Sequence, residues 1–341
     1  MSFSENKLTV RSSADLAAAV PYLLGFHPSD GSVVVLACRD RRVVFVARGD
    51  LPAAATGEHH LRGLGDHLVT VLQRQQPITD LVIVGYGTPE HVDPAVRVLD
   101  DVFTAAGMQV RAALRVAEGR VYSVTCDEPG CCPPQGTPFD PTTSPLAVQA
   151  TVAGLVAFTD RAAVASRFAP VGGAARDTIR HASSTAATRL TALRAEGGTA
   201  VHAAGVQAVR DALRRHDAGE RLTDDEVAWL TVLLARRPIR DVAVDLTEAR
   251  DEHVTFWADV TRRAHEPLVP APAILLAIAA WRCGDGALAG MAAEHALRID
   301  PHYQLADLVL QALRVGLPPT GIEQAITSPA TRTSHNPFEK E

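Results

Sequence analysis

The residues best suited to chemistry in this chain are three cysteines within seven positions, in Cys126-Asp127-Glu128-Pro129-Gly130-Cys131-Cys132-Pro133-Pro134. Thiolates are soft donors, so Cys126, Cys131 and Cys132 could hold zinc if Asp127, a histidine or a partner chain supplied a fourth ligand. The spacing departs from a C-x-x-C knuckle, and the adjacent Cys131 and Cys132 are not expected to chelate one ion as a knuckle does. Two other uses fit the same residues: redox pairing of Cys126 with one of the neighbouring thiols, and an inert, buried cluster.

A second candidate centres on Gly25-Phe26-His27-Pro28-Ser29-Asp30. His27 titrates near neutral pH and could act there as acid, base or ligand beside Asp30. Arg48 and Asp50 follow a strand-like run and could meet His27 in space, Arg48 serving as a clamp for an anion. The structural alternative is an arginine–carboxylate pair that holds a hairpin base. Gly85-Tyr86-Gly87-Thr88 comes between a strand and a helix, where backbone N–H groups can face a bound anion. It is no dinucleotide fingerprint, because Glu90 occupies the third glycine position and Pro89 lacks an N–H, so a plain tight turn is the alternative. Glu58, His59, His60 and His67 also suggest metal ligation. On a helix, however, His60 and His67 lie about 10 Å apart, too far to share an ion, and are expected to face solvent.

Composition narrows the chemistry further. The chain has 341 residues, 33 Lys and Arg against 39 Asp and Glu, and a net charge of −6. That balance argues against a dedicated nucleic-acid binder or a polybasic membrane protein. The only lysines are Lys7 and Lys340. Mechanisms that need a lysine in a folded core, such as a Walker A loop, a kinase lysine, a Schiff base or a Ser–Lys dyad, are therefore excluded. No G-x-S-x-G, H-E-x-x-H or EF-hand pattern is present. Met1 to Arg11 has no signal-peptide pattern, and the uncharged run Pro267 to Trp281 is shorter than the roughly 20 residues of a membrane span. Five unevenly spaced cysteines make no secreted disulfide framework, so a cytoplasmic protein is expected.

The elements that must position these groups alternate in the first half. Helices are expected over Ser12–Leu24, Leu61–Arg74 and Pro94–Ala106, the first ended by Gly25 and the last by Gly107. Strands are expected over Ser32–Cys38, Arg42–Arg48, Asp80–Tyr86, Gln109–Val116 and Arg120–Cys126. The first two form a hairpin around Arg39, Asp40 and Arg41, and Asp80–Tyr86 reads as a strand buried on both faces. This order describes an α/β layer on a mixed sheet. A loop with six prolines then runs from Asp127 to Pro145.

Beyond position 150 alanine rises from roughly one residue in nine to one in five, and strand-like runs vanish. Helices are expected over Ser144–Leu155, Asp160–Phe168, Ala174–Ala195, Thr199–His216, Thr223–Ala235, Glu248–Ala264, Ala271–Cys283, Ala287–Ile299 and His302–Val315. Thr223 to Glu226 forms a capping box. The arginines from Arg176 to Arg240 are interleaved with acids and read as a solvated face. Small residues at Ala277, Ala289, Ala293 and Ala296, then Asp300-Pro301, suggest one tetratricopeptide-like helical hairpin. Ala273 stands at the repeat's tryptophan position, so an array is not expected. The expected organisation is an α/β domain over 1–145, an all-α domain over 146–327 and a disordered tail over 328–341.

Several blocks together resemble the actinobacterial family called domain of unknown function 4192. They are Ser13-Ala14-Asp15-Leu16, Val20-Pro21-Tyr22-Leu23-Leu24-Gly25-Phe26-His27-Pro28, Arg48-Gly49-Asp50-Leu51-Pro52 and Cys131-Cys132-Pro133-Pro134-Gln135-Gly136. Ala280 to Ala289 and Asp300-Pro301 to Pro318-Pro319 resemble the family's closing segment. Gly49 replaces a bulkier residue of the family pattern and creates Arg-Gly-Asp, which is no adhesion signal in a cytoplasmic chain. The resemblance implies family membership and no activity.

The sequence therefore leads first to a binding or adaptor protein, with a helical groove for an unidentified protein partner and an α/β support or sensor. A second expectation is an enzyme for a small anionic substrate, using His27, Arg48 and the Gly85–Thr88 turn. A third is the metal or thiol site at Cys126, Cys131 and Cys132. No nucleotide cofactor, nucleic acid or membrane is expected as a partner.

Overall fold

The computed structural model describes residues 10–52, 57–75 and 77–319. Lys7, Lys340 and the tail from 328 lie outside these residues. The chain divides into two compact units between Val164 and Ala165.

The first unit carries a six-stranded mixed sheet of order β2-β1-β3-β4-β5-β6. It opens with α1 (Ser13–Leu24), where Ser12 Oγ accepts the Asp15 N–H and the Asp15 carboxylate accepts the Ser12 N–H in a capping box. β1 (Ser32–Arg39) and β2 (Arg42–Asp50) form the expected hairpin, whose two turn residues Asp40 and Arg41 have φ of 50° and 64°. β1 also pairs antiparallel with β3 (Asp80–Tyr86). α3 (Pro89–Ala105) crosses over to β4 (Val110–Ala117), which runs parallel to β3. α2 (Gly57–Gln73) packs beside α3.

Val33, Val35, Leu81, Ile83, Val96, Leu99 and Phe103 form the core under these two helices. The alternate residues Val34, Leu36, Val82, Val84 and Leu114 are also buried, so both sheet faces are covered.

Three expectations change here. α3 starts at Pro89 and not Pro94, because Thr88 is its N-cap and proline's missing N–H costs nothing in a helix's first turn. Pro94 is accommodated inside, where the carbonyl it leaves unbonded belongs to the exposed residue Glu90. β5 (Arg120–Ser123) ends before Cys126, and the loop beyond it includes a short strand, β6 (Thr137–Pro138). The domain boundary expected at 145 precedes the division into units. α4 (Pro145–Val152) packs on α1, and Phe158 bridges to Phe26, so both belong to the sheet unit.

The second unit is helical. α5 (Arg161–Ser166) leads into it, followed by α6 (Gly173–Arg194), α7 (Gly198–Asp217) and α8 (Asp224–Leu234). α9 (Arg237–Leu246) is not among the expected helices, its arginines reading as part of the solvated face. It forms because Ile239, Ala243 and Val244 fall on one buried face, with Ile239 against Gly205 of α7. A Cβ on Gly205 would stand 2.3 Å from Ile239 Cδ1, so glycine sets how closely these helices approach.

α10 (Asp251–Arg263) and α11 (Pro270–Arg282) follow, and every residue of α11 from Pro270 to Trp281 is buried. α11 pairs closely with α12 (Gly286–Ile299) across Ala277, Ala289, Ala293 and Ala296, all fully buried. α13 (Gln304–Arg314) starts after Pro301, which sits in the turn and does not begin the helix. Arg240 departs from the solvated face expected for the arginines. Its side chain is 14% exposed and pairs with Asp241. Among the described residues no helix is long and apolar enough to cross a membrane.

Candidate metal and thiol site

The cysteine loop hangs from the end of β5. Val124 N–H donates to Ala113 O at 2.9 Å, and the Cys126 N–H then turns onto Ser123 Oγ at 3.0 Å. After Pro129 the chain folds back on itself. Cys131 N–H and Cys132 N–H both donate to Glu128 O, at 3.2 and 2.8 Å. This turn gathers the sulfurs. Cys126 Sγ lies 3.6 Å from Cys131 Sγ, Cys131 Sγ lies 3.6 Å from Cys132 Sγ, and all three fall within 4.8 Å of one another. The adjacent thiols therefore do face one centre, because two successive N–H groups share a single carbonyl. Among the described residues this is the one such gathering of three His, Cys, Asp or Glu side chains.

The trio is electrostatically uneven. Hydrogen bonding from the Glu128 backbone, then from Cys132 and Cys131, holds the Cys126 thiol below the ordinary thiol range. Its bonds to Cys126 and then Cys132 push Cys131 up to about 11. Of these two sulfurs Cys126 is therefore the easier to ionise and Cys131 the harder. Cys131 is exposed and the other two are half-buried, so the reading as a buried, inert cluster does not describe this loop.

The other candidates occupy the opposite end of the strands. Ser32 pairs with both Asp50 and Tyr86, and Tyr86 with Val116, so one rim carries the start of β1 and the ends of β2, β3 and β4. β5 runs away from that rim, and the cysteine loop leaves from its far end.

Arg48 Nη2 meets Asp50 Oδ1 at 2.6 Å and Ser29 Oγ at 3.4 Å. His27 is half-buried, its N–H donates to Phe158 O, and burial lowers its pKa. Asp30 is exposed, and its Cβ lies 3.7 Å from where a Cβ on Gly87 would stand.

The Gly85–Thr88 segment departs from the expected cradle. Gly85 and Tyr86 belong to β3, and the Gly87 N–H is used by Val116 O at 3.0 Å. Gly85 is needed for packing, since a Cβ there would stand 2.3 Å from Val92 Cγ1. Thr88 caps α3, its carbonyl taking the His91 and Val92 N–H groups. Two polar atoms on the rim are buried without a protein partner, Arg48 Nε and Tyr86 OH. Alternation along paired strands puts Arg48 and Tyr86 on the same sheet face.

A family model for a domain of unknown function (DUF4192) matches residues 14–320. The chain belongs to that family. No curated protein and no solved structure matches it.

In this DUF4192 chain, the block Arg48 to Pro52 is held at the rim from two sides. Leu51 N–H donates to Gly31 O at 2.7 Å, tying the end of β2 to the loop before β1, and His91 Nε2 of α3 lies 2.9 Å from Pro52 O. The sequence reading missed His91, Asp93 and Arg115. Arg115 is nearly buried, bonds Asp93 Oδ1 at 2.9 Å and lies 4.0 Å over the Tyr122 ring. An arginine inside the apolar run of β4 was the available signal. His59, His60 and His67 are exposed on α2.

The helical unit of the DUF4192 chain has two open clefts of about 290 and 410 Å³ that share Arg221 and Leu222. Their charges are paired. Arg263 bonds Asp224, Asp259 and Leu222 O, and Arg221 meets Asp259.

Proposed function

We propose that the cysteine loop binds a soft metal ion, zinc by preference, through Cys126, Cys131 and Cys132. One observation carries this reading: two sulfur–sulfur separations of 3.6 Å within a trio no wider than 4.8 Å. Sulfurs 2.3 Å from zinc in a tetrahedron stand about 3.8 Å apart, so the loop needs little adjustment to close on the ion. Exposure of Cys131 leaves a fourth position open to water or to a ligand from a partner.

The test is a zinc titration of the reduced full chain against a chromophoric chelator, with metal counted after gel filtration. One zinc per chain is expected, with affinity falling more than about 100-fold in Cys126→Ser or Cys132→Ser, beyond the loss of an outer-shell partner. Cys38→Ser serves as the control and should bind as the wild type does. Zinc uptake that survives replacement of all three loop cysteines would end the proposal.

A second reading, a small-anion site at the sheet rim, is favoured by the unpaired Arg48 Nε and Tyr86 OH. Both atoms are donors without acceptors, and an anion entering beside Arg48 would supply acceptors for them. His27 would then be the candidate acid or base. Calorimetry with inorganic phosphate on wild type and Arg48→Met tests it; equal heats from the two proteins would rule the site out.

A further inference from the structure

We propose that the same loop is a hydroperoxide-reactive dithiol, in which Cys126 is oxidised and Cys131 resolves it to a disulfide. The inference shares the convergence of sulfurs with the metal reading and does not depend on metal being bound. Three features of the loop carry it.

The Cys126 and Cys131 sulfurs are already in contact at 3.6 Å, so a bond of about 2.05 Å requires them to close by only about 1.5 Å. The segment between them is a Pro-Gly turn whose residues are exposed, which lets both the oxidant and the small rotation in. The Cys131 thiol donates to Glu128 O at 3.6 Å, which holds the resolving sulfur over the turn beside Cys126.

The choice of pair also follows from geometry. Cys131 lies 3.6 Å from Cys132 as well, but a bond between adjacent residues closes a small ring that strains the intervening peptide. The bridge across five positions avoids that strain.

The chemistry balances with a hydroperoxide as the only co-reactant. The Cys126 sulfur attacks one peroxide oxygen, the O–O bond breaks, and the displaced hydroxide takes the thiol proton to leave as water. Cys126 is then a sulfenic acid. The Cys131 sulfur attacks the Cys126 sulfur, the S–O bond breaks, and the second hydroxide leaves as water with the Cys131 proton. Two thiols lose two electrons and two protons, and hydrogen peroxide becomes two waters.

Asp127 lies between the two cysteines, and this makes the product easy to read. The reduced, metal-free full chain is treated with hydrogen peroxide, blocked, and cleaved on the amino side of aspartate. The expected result is a fall from five reactive thiols to three. The fragments on either side of the Cys126–Asp127 bond should stay joined until a reductant is added. Cys132→Ser should keep this behaviour, and Cys131→Ser should lose it and accumulate higher oxides on Cys126. Separate fragments with all five thiols intact, a bridge confined to Cys131 and Cys132, or joining that persists in Cys131→Ser would each overturn the proposal. A parallel arm with zinc separates the two readings. Zinc binding without bridge formation defeats this inference alone, and bridge formation without zinc binding defeats only the metal site.

Discussion

Replacing Gly85 by alanine puts a methyl group where the structure has no room for it. The added Cβ would stand 2.3 Å from Val92 Cγ1 and 3.0 Å from Val96 Cγ2, against an ordinary contact of about 3.5–4.0 Å. Val92 and Val96 are fully buried in the core beneath α3, so the helix must shift away from β3 or both valines must leave their rotamers. Overpacking of this kind costs about 2.5 kcal/mol, from which the smaller chain entropy of unfolded alanine removes about 0.5 kcal/mol. A net loss of about 2 kcal/mol, with a urea slope of about 2 kcal/mol/M, moves the midpoint down by about 1 M.

The assay can isolate the affected unit, because Trp229, Trp257 and Trp281 all lie beyond Ala165. Tryptophan fluorescence therefore follows the helical unit, while hydrogen exchange at β3 and α3 follows the sheet. Gly85→Ala should lower protection in the sheet and leave the tryptophan transition in place. In Gly85→Ala/Val92→Ala the combined loss should fall short of the sum by more than about 1 kcal/mol, since the second change removes the clashing methyls. Unchanged or higher sheet stability in Gly85→Ala would refute the packing account and return Gly85 to the role of an ordinary turn residue.

Other predictions address charge. Asp140 Oδ1 accepts the Thr142 hydroxyl at 2.6 Å and its N–H at 2.8 Å, while Oδ2 accepts the Thr143 hydroxyl at 2.7 Å. These bonds, the Thr142 hydroxyl first, lower its pKa to about 2. Because the folded value lies below the unfolded one, the carboxylate's contribution is present above about pH 4 and is lost as pH falls toward 2. Carboxyl-carbon NMR should give a midpoint near 2 that rises in Thr142→Val. Arg263, with 6% of its side chain exposed, bonds Asp224, Asp259 and Leu222 O. Arg263→Met takes the arginine away from Asp224 and the Leu222 carbonyl and leaves Asp259 with Arg221 alone, so a loss of about 3 kcal/mol is expected in the tryptophan-detected transition.

Local pattern was enough for much of this protein. The capping box at Thr223 and Glu226, the hairpin of β1 and β2, the buried strand Asp80–Tyr86 and the apolar helix α11 are properties of short windows, in which residue period and punctuation decide the element. The mixed α/β sheet followed by alanine-rich helices was legible for the same reason. α9 was not, because its charges and proline mask a buried face that exists only once Gly205 admits Ile239.

Sites depended most on tertiary structure. Sequence named Cys126, Cys131 and Cys132 but set the neighbours apart, since spacing alone does not reveal that two N–H groups converge on Glu128 O and swing both sulfurs toward the third. It offered Gly85 as part of an anion-facing turn or of a plain tight turn, whereas only the approach of α3 exposes its packing role. It also grouped the His27 loop with the Gly85 turn without deciding whether the cysteines joined them. Strand direction settles that question, because β5 carries its loop away from the rim that β1, β2, β3 and β4 share, a relation no window of sequence contains.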